Sequence, residues 1–398
     1  MTLAVDHGRV QALADGARAA GRLALDTEFM GEGRYRTLLC LIQLAIPDEL
    51  DGAERIVLVD PLAEDLDGSP LASVLADPAV QVVVHAGRQD IALIRRRFGT
   101  EVSNVFDTQV AAGFAGLGAQ SSYESLLADI LGLRVAKTAS FTRWDARPLS
   151  PEQLSYARED VVHLLELAAE LERRLSEIGR LEWAREECEP LSRSSDERDP
   201  EAIFARLPRI ATLSATARPV ARELVKWREE TAARNDRPVQ SVLGDAALME
   251  LAKRKPSSRA ELTRIRGVGS GVGGRRSEQL LEVIARGRER PPDPPPERAR
   301  VPAPRPDDAP LIALAEALLR ARAREAGLAY ELLAARADLQ AIVAGERSGQ
   351  EAEVRTLRGW RRELVGAELL ELLDGRVSLA VEPSGATRRL RIESRPVG

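Results

Sequence analysis

The sequence predicts an α/β domain over residues 1–190 followed by two small all-α domains at 205–290 and 309–398. Three observations lead there. Short apolar runs of strand length, Leu23-Ala24-Leu25 and Val82-Val83-Val84, are followed in the first half by amphipathic segments. Past residue 200 the apolar residues recur at helical spacing, as in Leu224-Val225-Lys226-Trp227 and Ile312, Ala315, Leu318 and Leu319. Between these helical stretches Pro291-Pro292-Asp293-Pro294-Pro295-Pro296 opens a stiff linker over 291–308. A chain of 398 residues is also too long for one compact core.

The first strand ends in Asp26-Thr27-Glu28-Phe29, which places two carboxylates two positions apart and therefore on one face. Like charges there raise each other's pKa unless cations keep them ionised. A divalent-metal site is the simplest functional reading, and two solvated acids at a strand end are the plain alternative. The second strand runs into His85-Ala86, after which Gly87-Arg88-Gln89-Asp90 opens a helix with Ile91, Ile94 and Phe98 on one face. Asp90 thus sits in a first turn, where acids suit the macrodipole whether or not they bind anything. His85 reads as a structural group at a strand end. A third element starts at Ser150, an N-cap with Pro151 at N1 and Gln153 at N3. On its helix Tyr156 and Asp160 lie one turn apart on one face.

Asp-x-Glu on a strand, Asp after a second strand and Tyr-x-x-x-Asp on a later helix together resemble the DEDD superfamily of 3′-to-5′ exonucleases, in the subgroup with Tyr in its third motif. The nearer likeness is to the ribonuclease D family, through Leu25-Asp26-Thr27-Glu28-Phe29-Met30, Leu39-Cys40-Leu41-Ile42-Gln43-Leu44-Ala45, Phe106-Asp107-Thr108-Gln109 and Trp144-Asp145-Ala146-Arg147-Pro148-Leu149-Ser150. The resemblance implies a ribonuclease-H-like fold with a mixed central sheet and two divalent ions, Mg²⁺ or Mn²⁺, which suit an all-oxygen ligand set. By the same resemblance Asp26 bridges the ions, Glu28 and Asp160 complete the inner ligands, and Asp90 acts directly or through water. Tyr156 holds the attacking water. Asp107 matches a family position and reads as turn-forming before it reads as a ligand. Around the third motif, Lys137, Arg143 and Arg147 either contact phosphates or form a solvated basic loop. Thr27, Phe29 and Met30 either contact the terminal nucleotide or pack.

The net charge of −5 looks unfavourable for a nucleic-acid partner, but it is unevenly spread. Residues 1–200 carry 21 basic against 34 acidic groups, 201–290 carry 19 against 11, and 291–398 are balanced at 17 each. The middle segment has the sign that phosphate contact requires. There Leu224 to Ala232, Leu243 to Ala252 and Glu261 to Gly269 resemble an HRDC domain, the helical module shared by RecQ-type helicases and the ribonuclease D family, which implies nucleic-acid positioning. Gly269, Gly271 and Gly274 form a formal G-x-G-x-x-G, yet a helix precedes it and the P-loop lysine is missing, which argues against a dinucleotide site. Arg275 and Arg276 behind it either cradle a phosphate at a helix start or accompany a flexible connection. The C-terminal stretch through Trp360, Leu369 and Leu373 resembles a second, diverged HRDC-like domain. Val377 to Ile392 alternates as a short hairpin would, or forms a tail.

The expected reaction is metal-dependent removal of nucleoside 5′-monophosphates from RNA 3′ ends, with tRNA precursors and other structured RNAs as substrates. Two alternatives stand beside it: a DNA 3′-to-5′ exonuclease, and a non-catalytic nucleic-acid-binding scaffold. No apolar run reaches the length of a membrane span, and the first residues lack a signal peptide's apolar core. A cytoplasmic monomer is expected, with Cys40 and Cys188 as reduced thiols.

Overall fold

The computed structural model describes residues 7–47, 54–134, 143–268, 274–294, 305–384 and 387–394. In chain order the first domain comprises α1 (His7–Ala20), β1 (Arg22–Met30), β2 (Leu38–Pro47), β3 (Glu54–Val59), α2 (Ser69–Leu75), β4 (Gln81–Val84), α3 (Arg88–Phe98), β5 (Val105–Asp107), α4 (Thr108–Phe114), α5 (Tyr123–Leu126), α6 (Pro151–Glu159), α7 (Leu164–Glu177) and α8 (Leu181–Cys188). The sheet order is β3-β2-β1-β4-β5. β1, β2 and β3 pair antiparallel, while β4 and β5 run parallel to β1, so the sheet is mixed as expected and the acid-bearing strand lies at its centre.

Alternation along β1 divides the chemistry between two layers. Leu23 and Leu25 enter a core with Val10 and Leu13 of α1, Leu71 of α2 and Ile91 and Ile94 of α3. Ala24 enters the opposite core with Phe106, Phe114 and the α7 residues Leu164, Leu167 and Leu171. Asp26 and Glu28 follow Ala24 in phase, and Thr27 follows Leu25 toward α3.

The middle module contains α9 (Pro200–Arg206), α10 (Arg218–Arg234), α11 (Val239–Val242), α12 (Asp245–Arg254), α13 (Arg259–Leu262) and α14 (Gly274–Glu289), around a core of Leu224, Trp227, Leu248 and Ile284. The loop between β1 and β2 docks on it. The Tyr35 hydroxyl donates to Glu229 at 3.1 Å, and Arg198 adds Nε and Nη2 hydrogen bonds to the same carboxylate at 2.7 and 3.1 Å. Beside them Arg34 pairs with Asp236 at 2.9 Å. Glu229 is only 3% exposed, and apart from the equally buried Arg228 of its own helix at 3.8 Å its partners come from the first domain and its connection. The start of the predicted linker is pinned to the same module: Asp293 bonds Arg222 at 2.9 Å and accepts from Arg218 through its carbonyl.

After the connection come α15 (Asp308–Ala326), α16 (Tyr330–Leu333), α17 (Arg336–Ser348), α18 (Gly359–Arg361), α19 (Ala367–Leu373) and a hairpin, β6 (Val377–Ser384) with β7 (Thr387–Ser394). This module has strands as well as helices. Nor is its core separate: Ile312, Leu318, Leu333, Trp360 and Leu369 belong to one apolar cluster with Phe106, Phe114 and α7 of the first domain. Trp360 joins them, edge-on to Phe114 at 4.9 Å and stacked on Trp183 at 5.5 Å. Arg361 adds an ion pair to Glu187 at 2.7 Å. Helical periodicity detects the apolar stripes but not which partner they cover.

Replacing Trp360 by Ala removes a fully buried aromatic, a change that costs about 3–5 kcal/mol. The expected outcome is a lower thermal midpoint together with early proteolytic release of the C-terminal module. Unchanged protection of residues beyond 308 in a limited-proteolysis time course would contradict the shared core.

Candidate active site

Asp26 and Glu28 project from the end of β1, whose pairing shifts by a bulge between Glu28 and Phe29. Asp90 is reached through a tight turn after β4. Ala86 takes a left-handed φ of 54°, and a Cβ on Gly87 would meet Val84 at 2.5 Å, so only glycine fits where the backbone passes that closely. Asp107 secures this turn: its carboxylate accepts the backbone N–H groups of Ala86 at 3.0 Å and Gly87 at 2.9 Å, and it also caps α4 through Gln109. Its role is therefore to present Asp90, while β5 and α4 supply the anchor. His85 lies behind, with Nδ1 2.9 Å from the Thr108 hydroxyl and its ring tilted against Tyr123.

Tyr156 and Asp160 come from α6 and its C-cap. Ser150 and Gln153 form the capping box the sequence suggests, with bonds of 3.2 and 2.9 Å. The Asp160 N–H donates back to the Tyr156 carbonyl at 3.3 Å, which keeps the two residues one turn apart. Trp144 packs beside Tyr156 at 6.0 Å between ring centroids.

The fold brings all five residues together, and the electrostatics record it. Burial first, then the charges of Asp90, Asp160 and Glu28, raise the Asp26 carboxyl well above its ordinary range. Burial with Asp160 and Asp90 pushes Glu28 up to about 8. Asp160 rises to about 7 through burial and the charges of Glu124 and Glu159, and Asp90 to about 6 through burial, opposed by a hydrogen bond from Thr27. Burial and the neighbouring acids raise the Tyr156 phenol further above its already high value, so its oxygen keeps its proton. Among the described residues no three acidic, His or Cys groups already close into a cage. The arrangement is an open cluster of hard oxygen donors, and that chemistry fits Mg²⁺ or Mn²⁺.

The residues expected to touch substrate divide. Phe29 is 39% exposed at the strand end and free to meet a base. Thr27 is buried, and its hydroxyl donates to Asp90, so it supports a carboxylate rather than a nucleotide. Arg143 is open to solvent, and among the described residues its side chain meets Asp145 through Nε at 3.1 Å. Arg147 corrects the expectation of phosphate contact: its five N–H groups go to both Asp60 oxygens and to the carbonyls of Cys40, Trp144 and Ala146. It fastens the third-motif loop to β2 and to Asp60 just beyond β3. Arg275 is exposed on the first turn of α14, whereas Arg276 folds back onto the Val242 carbonyl. Lys137 and most of the glycine-rich stretch before Arg275 lie outside the described residues. Sequence reading missed Glu124, whose charge acts on both Asp160 and Tyr156 from the first turn of α5. No local pattern distinguishes it from an ordinary surface acid.

Comparison with known proteins agrees with this geometry. Residues 6–176 match a 3′-5′ exonuclease family model, and residues 217–284 match the HRDC domain. The chain is 38% identical to the ribonuclease D of Acidiphilium cryptum, over 93% of its own length and 92% of that protein's. Identity to the ribonuclease D of Gluconacetobacter diazotrophicus is also 38%, covering 92% and 91%. Its fold is similar to the crystal structure of Escherichia coli RNase D, described as an exoribonuclease involved in structured RNA processing, with a TM-score of 0.79 and 26% identity over 94% of this chain and 99% of that one. Exonucleases of the matched kind depend on divalent metal ions. The chain therefore belongs to the ribonuclease D family and is a 3′-to-5′ exoribonuclease.

Proposed function

We propose that Asp26, Glu28, Asp90 and Asp160 hold two divalent cations, Mg²⁺ or Mn²⁺, and that the chain releases nucleoside 5′-monophosphates from the 3′ ends of structured RNAs, tRNA precursors among them. One observation carries the metal reading: four carboxylates from a strand, a helix start and a helix end crowd closely enough that Asp90 and Asp160 raise the pKa of both Asp26 and Glu28, and Glu28 that of Asp26. Cations relieve that repulsion. When bound, such ions supply an activated water and neutralise charge developing on the phosphate. Structured RNA as the substrate class draws support from the Escherichia coli relative's description and from the basic middle segment.

The protein's own groups do the rest. Burial and the neighbouring acids hold the Tyr156 phenol above its ordinary range, and its hydroxyl orients the attacking water by hydrogen bonding. Thr27 fixes Asp90 from the α3 side, and Asp107 fixes the turn beneath it. Phe29 meets the terminal base, and the solvent-exposed Arg143 meets a phosphate. Within the middle module Arg237 and Arg276 line a cavity of about 400 Å³ with Trp227, Asn235 and Gln279 and no carboxylate, which suits RNA upstream of the 3′ end. The buried, unpaired thiols of Cys40 and Cys188 fit a reducing cytoplasm, and a monomer suffices for the reaction since all five residues come from one chain.

Incubation of 3′-extended RNA with Mg²⁺ should shorten it stepwise and release 5′-monophosphates. Asp26→Ala should lower kcat by at least about 10³-fold, and Tyr156→Phe by about 10²-fold with little change in KM. Retained shortening by Asp26→Ala would overturn the site, and faster shortening of matched DNA would overturn the substrate.

A second test uses pH. Without cations Glu28, Asp160 and Asp90 lose their protons near 8, 7 and 6, whereas the unfolded chain loses them near 4. Between those limits the native state binds more protons than the unfolded one, so this contribution to stability falls as pH rises. Bound cations take the place of the protons. The rise in Tm on adding Mg²⁺ should therefore be larger at pH 8 than at pH 5.5, and equal shifts at both would count against the cluster as the cation site.

A further inference from the structure

Gln43 lies at the centre of the sheet, on β2, with no exposed surface. Its Cα partners are Asp26 on β1 and Leu58 on β3. Cross-strand partners share a face and stand roughly 5 Å apart at Cβ, so the Gln43 amide rises from the same side of the sheet as the Asp26 carboxylate. Along β2 the next residue on that side is Leu41, the neighbour of Glu28, which packs in the small cluster containing Trp144, Ala157 and Tyr156. Gln43 is thus enclosed by the two acids of β1 and the elements that carry Tyr156.

Among the described residues neither amide atom of Gln43 has a hydrogen-bond partner: both Nε2 and Oε1 are buried and unsatisfied. An unpaired amide at the centre of a core opposes folding, because both groups have given up water for nothing. Val, Leu or Met would fill the same space on a strand whose other residues are Leu, Ile, Ala, Cys and Pro. An apolar side chain would serve the packing equally well, and the amide stands beside Asp26 with hydrogen-bonding capacity to spare.

We propose that Gln43 is a positioning residue for the hydrolysis, its Nε2–H donating to the Asp26 carboxylate when cations and substrate occupy the cluster and so fixing which way that carboxylate faces. Asp26 has its own backbone support from Thr27, but among the described residues no side chain hydrogen-bonds its carboxylate. Thr27 plays the corresponding part for Asp90. Groups of this kind, one bond removed from a metal-binding carboxylate, set its orientation and basicity, and their loss typically lowers affinity or activity by about 10–100-fold. The inference rests on the reading of the four carboxylates as cation ligands.

The test is Gln43→Met, which keeps the volume and removes both polar atoms. Without divalent cations its Tm should equal or exceed that of the parent. With Mg²⁺ the parent's Tm rise should shrink, the Mg²⁺ concentration for half-maximal rate should increase about tenfold, and kcat on a 3′-tailed RNA should fall by about 10–100-fold with KM for RNA unchanged. A marked loss of Tm, or failure to fold, in the absence of cations would overturn the proposal, because it would show the amide serving the fold. So would unaltered kcat and Mg²⁺ response in a well-folded variant. A parent chain inactive on RNA would instead overturn the reading of the previous subsection, leaving the Mg²⁺ shift of Tm to decide this one.

Discussion

Carboxylate repulsion at the end of β1 is the constraint around which this molecule is built. Asp26 and Glu28 end the central strand, Asp90 starts α3 and Asp160 ends α6, so the acids are drawn together by the same packing that buries Leu25, Ile91 and Ala157. Apolar burial is non-directional, and it does not by itself tolerate such a cluster. In the proposed function, bound cations supply the charge that offsets this cost. That makes the site a place where folding and chemistry oppose each other, as strained or frustrated positions at functional sites often are.

Much of the surrounding structure consists of groups that keep the acids from moving apart. Asp107 ties the turn before α3 to α4, and Arg147 ties the loop before α6 to β2 and Asp60, using all of its donors. Thr27 reaches Asp90 from the side of β1 opposite to Asp26 and Glu28. Each anchor is a charged or hydroxyl group satisfied inside the protein, where a low dielectric strengthens the bonds it makes. An arginine beside a nuclease motif invites assignment to the substrate. At Arg147 the count of hydrogen bonds decides otherwise.

The two downstream modules attach by different physics. The C-terminal helices share an apolar core with α4, α7 and α8 through Trp360, Phe114 and Trp183, so their position is tied to the stability of the nuclease itself. The middle module instead meets the β1–β2 loop through a buried carboxylate, Glu229, with Tyr35 and Arg198 as its partners, and through the Arg34–Asp236 pair. That loop continues directly from the strand carrying Asp26 and Glu28. The attachment is thus apolar on one side and polar beside the site.

Alternation along Leu23 to Phe29, the cap at Ser150 and the four-residue interval from Tyr156 to Asp160 are local properties, and from them the sequence alone determined the α/β class and the helical segments; the five candidate site residues became one set only through the likeness of their combined pattern to an exonuclease family. Local patterns carry that information because strand and helix periods decide which side chains share a face before any tertiary contact forms. They are silent on partners that lie far away in the chain. That Arg147 meets Asp60, that Thr27 faces Asp90, that Glu124 acts on Asp160, and that Trp360 fills a space beside Phe114 were decided only by the tertiary structure. The physical reason is that a hydrogen bond or a packed contact depends on where two segments meet, and 87 residues separate Asp60 from the guanidinium that completes it.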